Sequence, residues 1–242
     1  MPPSSRSVSR ARQASPGSTR EEPSRGRKRQ GPSPRRSGAR LRSFDRRLGV
    51  RFVAGADEAG RGCLAGPLVV AGVLLDYAWL RGPRARPLAG LADSKELSPE
   101  ERERLFGAIT RLARGVAVRV YPVGEIDRCG LHACNLAGLR AVLASLAPSA
   151  QACLVDGLPL GPGAPQHLAL VEGDRRSAAI ASASIVAKVV RDRLMRRMDA
   201  LFPAYGFASH VGYITPAHSA TVRAHGPSEI HRRSFQALCY VA

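Results

Sequence analysis

Large apolar side chains are scarce through residue 43 and then recur with two distinct periods. Residues 1–43, rich in Ser, Pro, Gly and Arg, follow neither the helical nor the strand repeat, so a disordered basic tail is expected, bounded as residues 1–48. From Phe52 short β-like runs alternate with helical stretches. Arg51–Ala56 and Pro67–Leu75 read as strands around a glycine-rich turn, and Val116–Val123, rich in β-branched residues, reads as a third. A helix begins at Ser98, a good N-cap, with Pro99 at its first position. Glu100, Glu101 and Glu103 follow, and Leu105, Ile109 and Leu112 recur on one face. Further helices are expected over Leu131–Leu146 and Ala178–Leu201, the latter stopped by Pro203. Two short apolar runs, Ala152–Val155 and Leu168–Val171, end in acidic residues. Strands interleaved with helices predict an α/β domain over residues 49–242, a mixed sheet flanked by helices.

Charge sharpens this division. The 242 residues carry 37 Lys+Arg against 19 Asp+Glu, a formal +18. Residues 1–48 hold 14 basic and three acidic side chains, a net +11, which leaves +7 for the remainder. Such a chain suits a polyanionic partner. The tail reads as a phosphate-attracting segment, a transit-like leader or a dispensable start. No run approaches the roughly 18 apolar residues of a membrane span and no apolar stretch marks a secretory signal, so no membrane association is expected. Five cysteines without a CxxC pair fit neither a disulfide framework nor a zinc module, and suggest buried thiols in a reducing, cytoplasmic setting. Aromatic residues at 5% are too few for a binder that works mainly by stacking bases.

Candidate chemistry concentrates in Gly55-Ala56-Asp57-Glu58-Ala59-Gly60-Arg61-Gly62. Two adjacent carboxylates closing an apolar strand are costly unless a cation receives them. On a regular strand they point to opposite faces, so they are expected to share a ligand only where the strand breaks into the glycine turn. Two further acids, Asp156 and Asp174, follow apolar runs in the same way, and carboxylates at several strand ends can converge on one sheet edge. Hard oxygen donors suit Mg²⁺ or Mn²⁺, whereas the six histidines show no zinc spacing. Pairs of such ions about 4 Å apart support phosphodiester hydrolysis, so an acidic cluster in a basic chain suggests a nuclease. Glycines at 60 and 62 allow close approach to phosphate or a ribose 2′-hydroxyl.

Six ordered motifs carry a family resemblance: GADEAGRGCLAGPLVVAGVLL (55–75), DSKELS (93–98), LVDG (154–157), EGD with ASASIVAKVVRDR (172–174, 181–193), YGFASHVGYITPAH (205–218) and HGPSEIHRRSF (225–235). Across residues 51–236 the chain resembles bacterial ribonuclease HII, the type 2 ribonuclease H. The resemblance implies an RNase H-like fold with a small helical C-terminal part, and endonucleolytic cleavage of RNA in RNA–DNA hybrids, giving 5′-phosphate ends. It also implies incision 5′ of ribonucleotides embedded in duplex DNA. It makes Asp57, Glu58, Asp156 and Asp174 the catalytic carboxylates, the first three as ligands of Mn²⁺ or Mg²⁺. It sets Gly60, Arg61 and Gly62 against the 2′-hydroxyl and phosphate, Lys95 near the backbone, and Tyr213 against the deoxyribose that follows the ribonucleotide. A monomer is expected. The low-complexity tail argues against ribonuclease HIII, which adds a folded N-terminal domain, and the four carboxylates argue against a noncatalytic nucleic-acid-binding protein that keeps the fold.

Other residues read less sharply. Asp93 caps its own turn, and Asp192 is an ion-pair partner. Lys188, Arg191 and Arg193 form either a solvated helix face or a phosphate-facing rim. His210 and His218 shape the Tyr213 loop, and Cys129, His132 and Cys134 pack in the core. Relatives commonly carry Lys where this chain has Val211 and Gly where it has Ile214, so one cation for a phosphate contact is lost, a positive φ at the β-branched Ile214 would be costly, and the geometry of the Tyr213 loop is left open.

Overall fold

The computed structural model describes residues 34–240. Its sheet runs in the order β3-β2-β1-β4-β5, built from β1 (Phe52–Ala59), β2 (Leu68–Asp76), β3 (Gly115–Tyr121), β4 (Ala152–Asp156) and β5 (Leu168–Leu170). β1, β2 and β3 are antiparallel neighbours, while β4 and β5 run parallel to β1. This is the mixed α/β sheet that the alternating pattern predicts.

Seven α-helices form among the described residues: α1 (Pro34–Arg46), α2 (Pro99–Leu112), α3 (Val123–Cys129), α4 (Leu131–Leu146) and α5 (Ala178–Leu201) flank the sheet, and α6 (Phe207–His210) and α7 (Pro216–His225) make a small C-terminal part with cores of its own. β1 and β2 are apolar on both faces because both faces are covered. Val53, Val69, Ala71, Val73 and Leu75 join the α5 layer, and Ala54, Ala56, Leu68, Val70 and Leu74 join the α4 layer. The small residues opening α5 let it approach β1 unusually closely: a Cβ at Gly55 would lie 2.2 Å from the carbonyl carbon of Ala179. That contact carries Ser184 and Lys188 over the end of β1. The start of α2 follows its sequence signature, with Ser98 and Glu101 capping each other's backbone N–H.

The tail expected through residue 48 is corrected at its C-terminal end. Residues 34–46 form α1, whose Leu41, Arg42 and Asp45 are buried. Arg42 donates to the Leu88 carbonyl at 2.8 Å, and Asp45 accepts from the Tyr77 hydroxyl and, at 3.0 Å, from the Ala179 N–H. Disorder is defeated here by polar docking onto distant segments together with Leu41, Phe44 and Leu48, whose short i, i+3, i+7 stripe packs on the core and closes an otherwise Ser-, Pro- and Arg-rich run. The rest of the expected tail lies outside the described residues.

No single helix among the described residues is long and apolar enough to cross a membrane. The α3–α4 pair passes on length and composition only if joined across a 111° bend, and α4 is packed on the sheet through Val142, Leu143 and Leu146.

Candidate active site

β1 does not break before its acids. It continues in register with β2, pairing Asp57 with Ala71 and Glu58 with Val70, whereas its pairing with β4 stops at Ala56–Val155. The expectation that a turn brings the two carboxylates to one ligand is therefore corrected. They point to opposite faces of a strand whose β4 side is left unpaired, and a cleft of about 370 Å³ straddles that open edge. Asp156, the last residue of β4, and Asp174, in the 3₁₀ turn Gly173–Arg175 after β5, line the same cleft.

The four acids meet with little compensation. Burial pushes the Asp57 carboxyl well above the usual carboxylate range, and the charges of Glu58 and Asp156 add to the effect, opposed by the Ser184 hydroxyl. Glu58 is raised by burial and by Asp156, opposed by Arg61, whose Nη1 lies 3.1 Å from its Oε1. Asp174 is pushed up to about 6 by burial and by the charges of Asp93 and Asp156, with Lys95 opposing. Local donors fix two of the acids: Asp57 Oδ1 accepts from the Glu58 N–H at 2.7 Å, and Asp156 Oδ1 from the Gly173 N–H at 2.6 Å. Left-handed Glu172 turns the chain so that Gly173 can make this bond, and a Cβ at Gly173 would lie 3.1 Å from Asp156 Oδ1.

The donor set fits hard divalent cations: oxygen ligands only, carrying more negative charge than neighbouring cations balance. Asp57, Glu58 and Asp156 could hold such an ion, with Asp174 beside them. Among the described residues no three acidic, His or Cys side chains are gathered tightly enough to enclose one. Glu58 Oε1 is engaged by Arg61 and Asp156 Oδ1 by the Gly173 N–H, which leaves the second oxygen of each carboxylate to a cation.

Gly60, Arg61, Gly62, Lys95 and Tyr213 line the cleft with the acids. Gly60 is demanded by the fold, since its φ is +100° and a Cβ would lie 2.2 Å from Arg191 Nε. A Cβ on Gly62 would meet nothing within 4 Å. Arg232, fully buried, donates to the Arg61 carbonyl at 3.1 Å and to the Gly66 carbonyl at 3.0 Å, and so clamps this loop from below. The Tyr213 loop is tied to it, because the Gly212 carbonyl accepts from the N–H groups of Leu64 and Ala65. Lys188, on α5, reaches the cleft with its Nζ 5.4 Å from the Tyr213 ring centroid and 2.7 Å from Asp192 Oδ1.

Several readings change. Arg191 belongs neither to a solvated face nor to a phosphate rim: it is fully buried and donates to the carbonyls of Ala65, Pro67 and Val211. The loop geometry left open by Val211 and Ile214 is resolved with the left-handed conformation not on Ile214 but on Val211, at +42°. A β-branched residue there costs about 1–3 kcal/mol, and the 2.8 Å bond from Arg191 Nη1 to the Val211 carbonyl helps to hold it. Of the cysteine–histidine group only Cys134 is buried, while Cys129 and His132 are exposed. Asp93 accepts from the Lys95 N–H as expected, and also pairs with Arg175. Asp192 is an ion-pair partner, of Lys188 and Arg102. Sequence reasoning did not single out Ser94, or Asn135 beside Glu58. Ser94, whose hydroxyl bonds Ser184 at 3.0 Å, carries a signal only through its place in the DSKELS motif.

Comparison with known proteins agrees with this geometry. The sequence model of the family described as ribonuclease HII matches residues 54–238. The ribonuclease HII of Salinispora arenicola is 49% identical over 189 residues, 78% of this chain and 68% of its own. The ribonuclease H2 of Pyrococcus horikoshii superposes with a TM-score of 0.64 at 27% identity, covering 76% of this chain and 94% of that one. The ribonuclease HII of Archaeoglobus fulgidus, solved in complex with PCNA, gives 0.63 at 26% identity over 77% and 96%. With its matched region spanning the sheet, the acidic edge and both loops, the chain belongs to the ribonuclease HII family.

Proposed function

We propose that the protein is an endoribonuclease that cleaves the RNA strand of RNA–DNA hybrids and incises duplex DNA on the 5′ side of embedded ribonucleotides. The observation that carries this reading is the convergence of Asp57, Glu58, Asp156 and Asp174 with Gly60–Gly62 and Tyr213 in one cleft. Asp57, Glu58 and Asp156 bind divalent cations, Mg²⁺ or Mn²⁺, which when bound polarise the scissile phosphate and the attacking water. Asp174 completes the acidic set, its carboxyl raised to about 6 by burial and by the charges of Asp93 and Asp156. Gly62, whose Cβ the protein's own packing would accommodate, is kept bare for the sugar–phosphate backbone to approach. Lys95 attracts phosphate, and the Tyr213 face abuts the deoxyribose, excluding a 2′-hydroxyl there. Recognition of sugar and backbone leaves base sequence largely unread.

The test uses three duplexes: an RNA–DNA hybrid, DNA with one ribonucleotide, and all-DNA. Cleavage of the first two with 5′-phosphate ends, dependent on Mg²⁺ or Mn²⁺ and abolished by EDTA, is expected. Cutting of all-DNA, or binding without cleavage under every metal condition, would overturn the assignment.

The basic tail adds affinity through phosphate neutralisation. Residues 1–33 carry eight basic and two acidic side chains. Their removal, which spares α1, is expected to weaken hybrid binding at low salt and to flatten the fall of log K with log salt. Fluorescence anisotropy across a salt series measures this, and gel mapping should show unchanged cut positions. A moved cut site would give the tail a part in positioning.

A further inference from the structure

The cleavage reading leaves unused a set of histidines packed behind Tyr213. His218 and His231 are fully buried, and His210 stacks on His218 with ring centroids 4.1 Å apart. Their hydrogen bonds have a forced direction. His218 Nδ1 lies 2.8 Å from the Tyr213 carbonyl, which can only accept, so the proton sits on Nδ1. His218 Nε2 lies 3.0 Å from His231 Nε2, and with neutral rings it must accept, which places the His231 proton on Nε2. His231 Nδ1 is then an acceptor, as its partner requires: the Ser228 N–H, 2.9 Å away, can only donate. The two ends of the chain, an amide and a carbonyl, impose the same polarity independently. His210 obeys the same logic, with Nε2 donating to the Tyr205 carbonyl at 2.7 Å and Nδ1 accepting from the Gly212 N–H at 3.2 Å.

We propose that His218 and His231 are positioning residues for sugar recognition, forming a proton-ordered relay from Ser228 through both rings to the Tyr213 carbonyl that fixes the tyrosine over the cleft. The inference rests on the reading of Tyr213 as the deoxyribose-facing group. Tyr213 needs such an anchor because its side chain is exposed and its neighbours Val211 and Gly212 both occupy the left-handed region. Its N–H donates to the His210 carbonyl, so both backbone groups of Tyr213 are held by this cluster. Neutrality is part of the device, because a second proton would set N–H against N–H between the rings. Burial, with the neighbouring His218, lowers His231 to about 4, and burial lowers His218. The groups facing the pair are His210, Tyr205, Tyr240 and Arg233, while Glu229 is turned to solvent.

Two measurements test the relay. Nitrogen-15 NMR of the histidine rings in the wild-type protein at pH 7 should show both neutral, with the proton on Nδ1 in His218 and on Nε2 in His231. Reversed tautomers or a charged ring would overturn the proposal. The second is the ratio of kcat/KM on a single embedded ribonucleotide to that on a uniform RNA–DNA hybrid. His218→Phe, which keeps the ring stack and loses both bonds, is expected to lower this ratio about fivefold, the scale of one lost hydrogen bond. His218→Asn, whose amide reaches the Tyr213 carbonyl, should restore most of it. If Tyr213→Ala leaves the ratio unchanged, the reading of the tyrosine falls and the relay with it. If Tyr213→Ala lowers the ratio and His218→Phe does not, the relay alone is overturned.

Discussion

Asp57→Asn is expected to cut hybrid cleavage by roughly 10²–10³-fold, the scale for losing one preorganised group that faces transition-state charge, and to make the metal-free protein more stable. The opposite signs have one cause. Asp57 is nearly buried, hydrogen-bonded to the Glu58 N–H, and surrounded by Glu58 and Asp156, so folding raises its carboxyl pKa well above the ordinary value. A carboxyl raised on folding contributes stability while protonated, below its unfolded pKa, and loses that contribution as pH rises through the folded value. Near neutrality the buried site must either carry the ionised carboxyl or keep it protonated against the solvent pH, and both oppose folding, whereas neutral Asn, whose Oδ1 can still accept from the same N–H, avoids that cost. In EDTA the variant should melt higher, at about 2–4 °C for each kcal/mol relieved, and the gain should shrink toward acid pH. In saturating Mg²⁺ or Mn²⁺ the order should reverse, because ligand binding stabilises only the chain that retains the site. A lower melting temperature for Asp57→Asn in EDTA would sink the electrostatic account, and undiminished cleavage would remove Asp57 from the site.

The second large effect lies outside the region matched by the family. Asp45→Ala should leave the Tyr77 hydroxyl and the Ala179 N–H, both buried, without their acceptor. Each orphaned group costs about 1–3 kcal/mol, and at about 2–4 °C per kcal/mol the melting temperature should fall by roughly 4–24 °C. Asp45→Asn separates the hydrogen bonds from the charge. Burial pushes the Asp45 carboxyl up to about 6, so the wild type's advantage over Asn should be greatest below about pH 4 and decline as pH rises toward 6. Thermal melts of the three proteins across that range provide the check. A small loss for Ala, or an advantage that grows with pH, would contradict this role for Asp45.

How much of this was legible in the sequence varied with the range of the interactions. Ser98, Pro99 and Glu101 announced α2 because capping is settled within four residues, and the limits of α4 and α5 followed from periodicity and Pro203. The end of β1 was misjudged because its register past Ala56 is supplied by β2, a partner no local pattern names. α1 escaped because its apolar stripe is short, Leu41, Phe44 and Leu48 at the end of a polar run, and the rest of its docking is polar and long-range, through Arg42, Asp45 and Arg46. Arg191 looked like a surface charge because the three carbonyls that neutralise its cost of burial come from other segments. The candidate site residues were found as motifs, while their arrangement, with Asp57 and Glu58 on opposite faces of one open strand edge, required the sheet.

The clamp beneath the glycine loop bears on how the protein is made. Arg232 reaches back 171 positions to the Arg61 carbonyl and 166 to that of Gly66, and the Ala65–His231 bridge closes the same junction. Synthesis delivers the carboxylates of β1 first, and the loop beside them receives these anchors only after the 171 positions between Arg61 and Arg232 have been made. The growing polypeptide thus carries its acidic strand for a time without the clamped loop, whose order comes from long-range closure and not from its own local sequence.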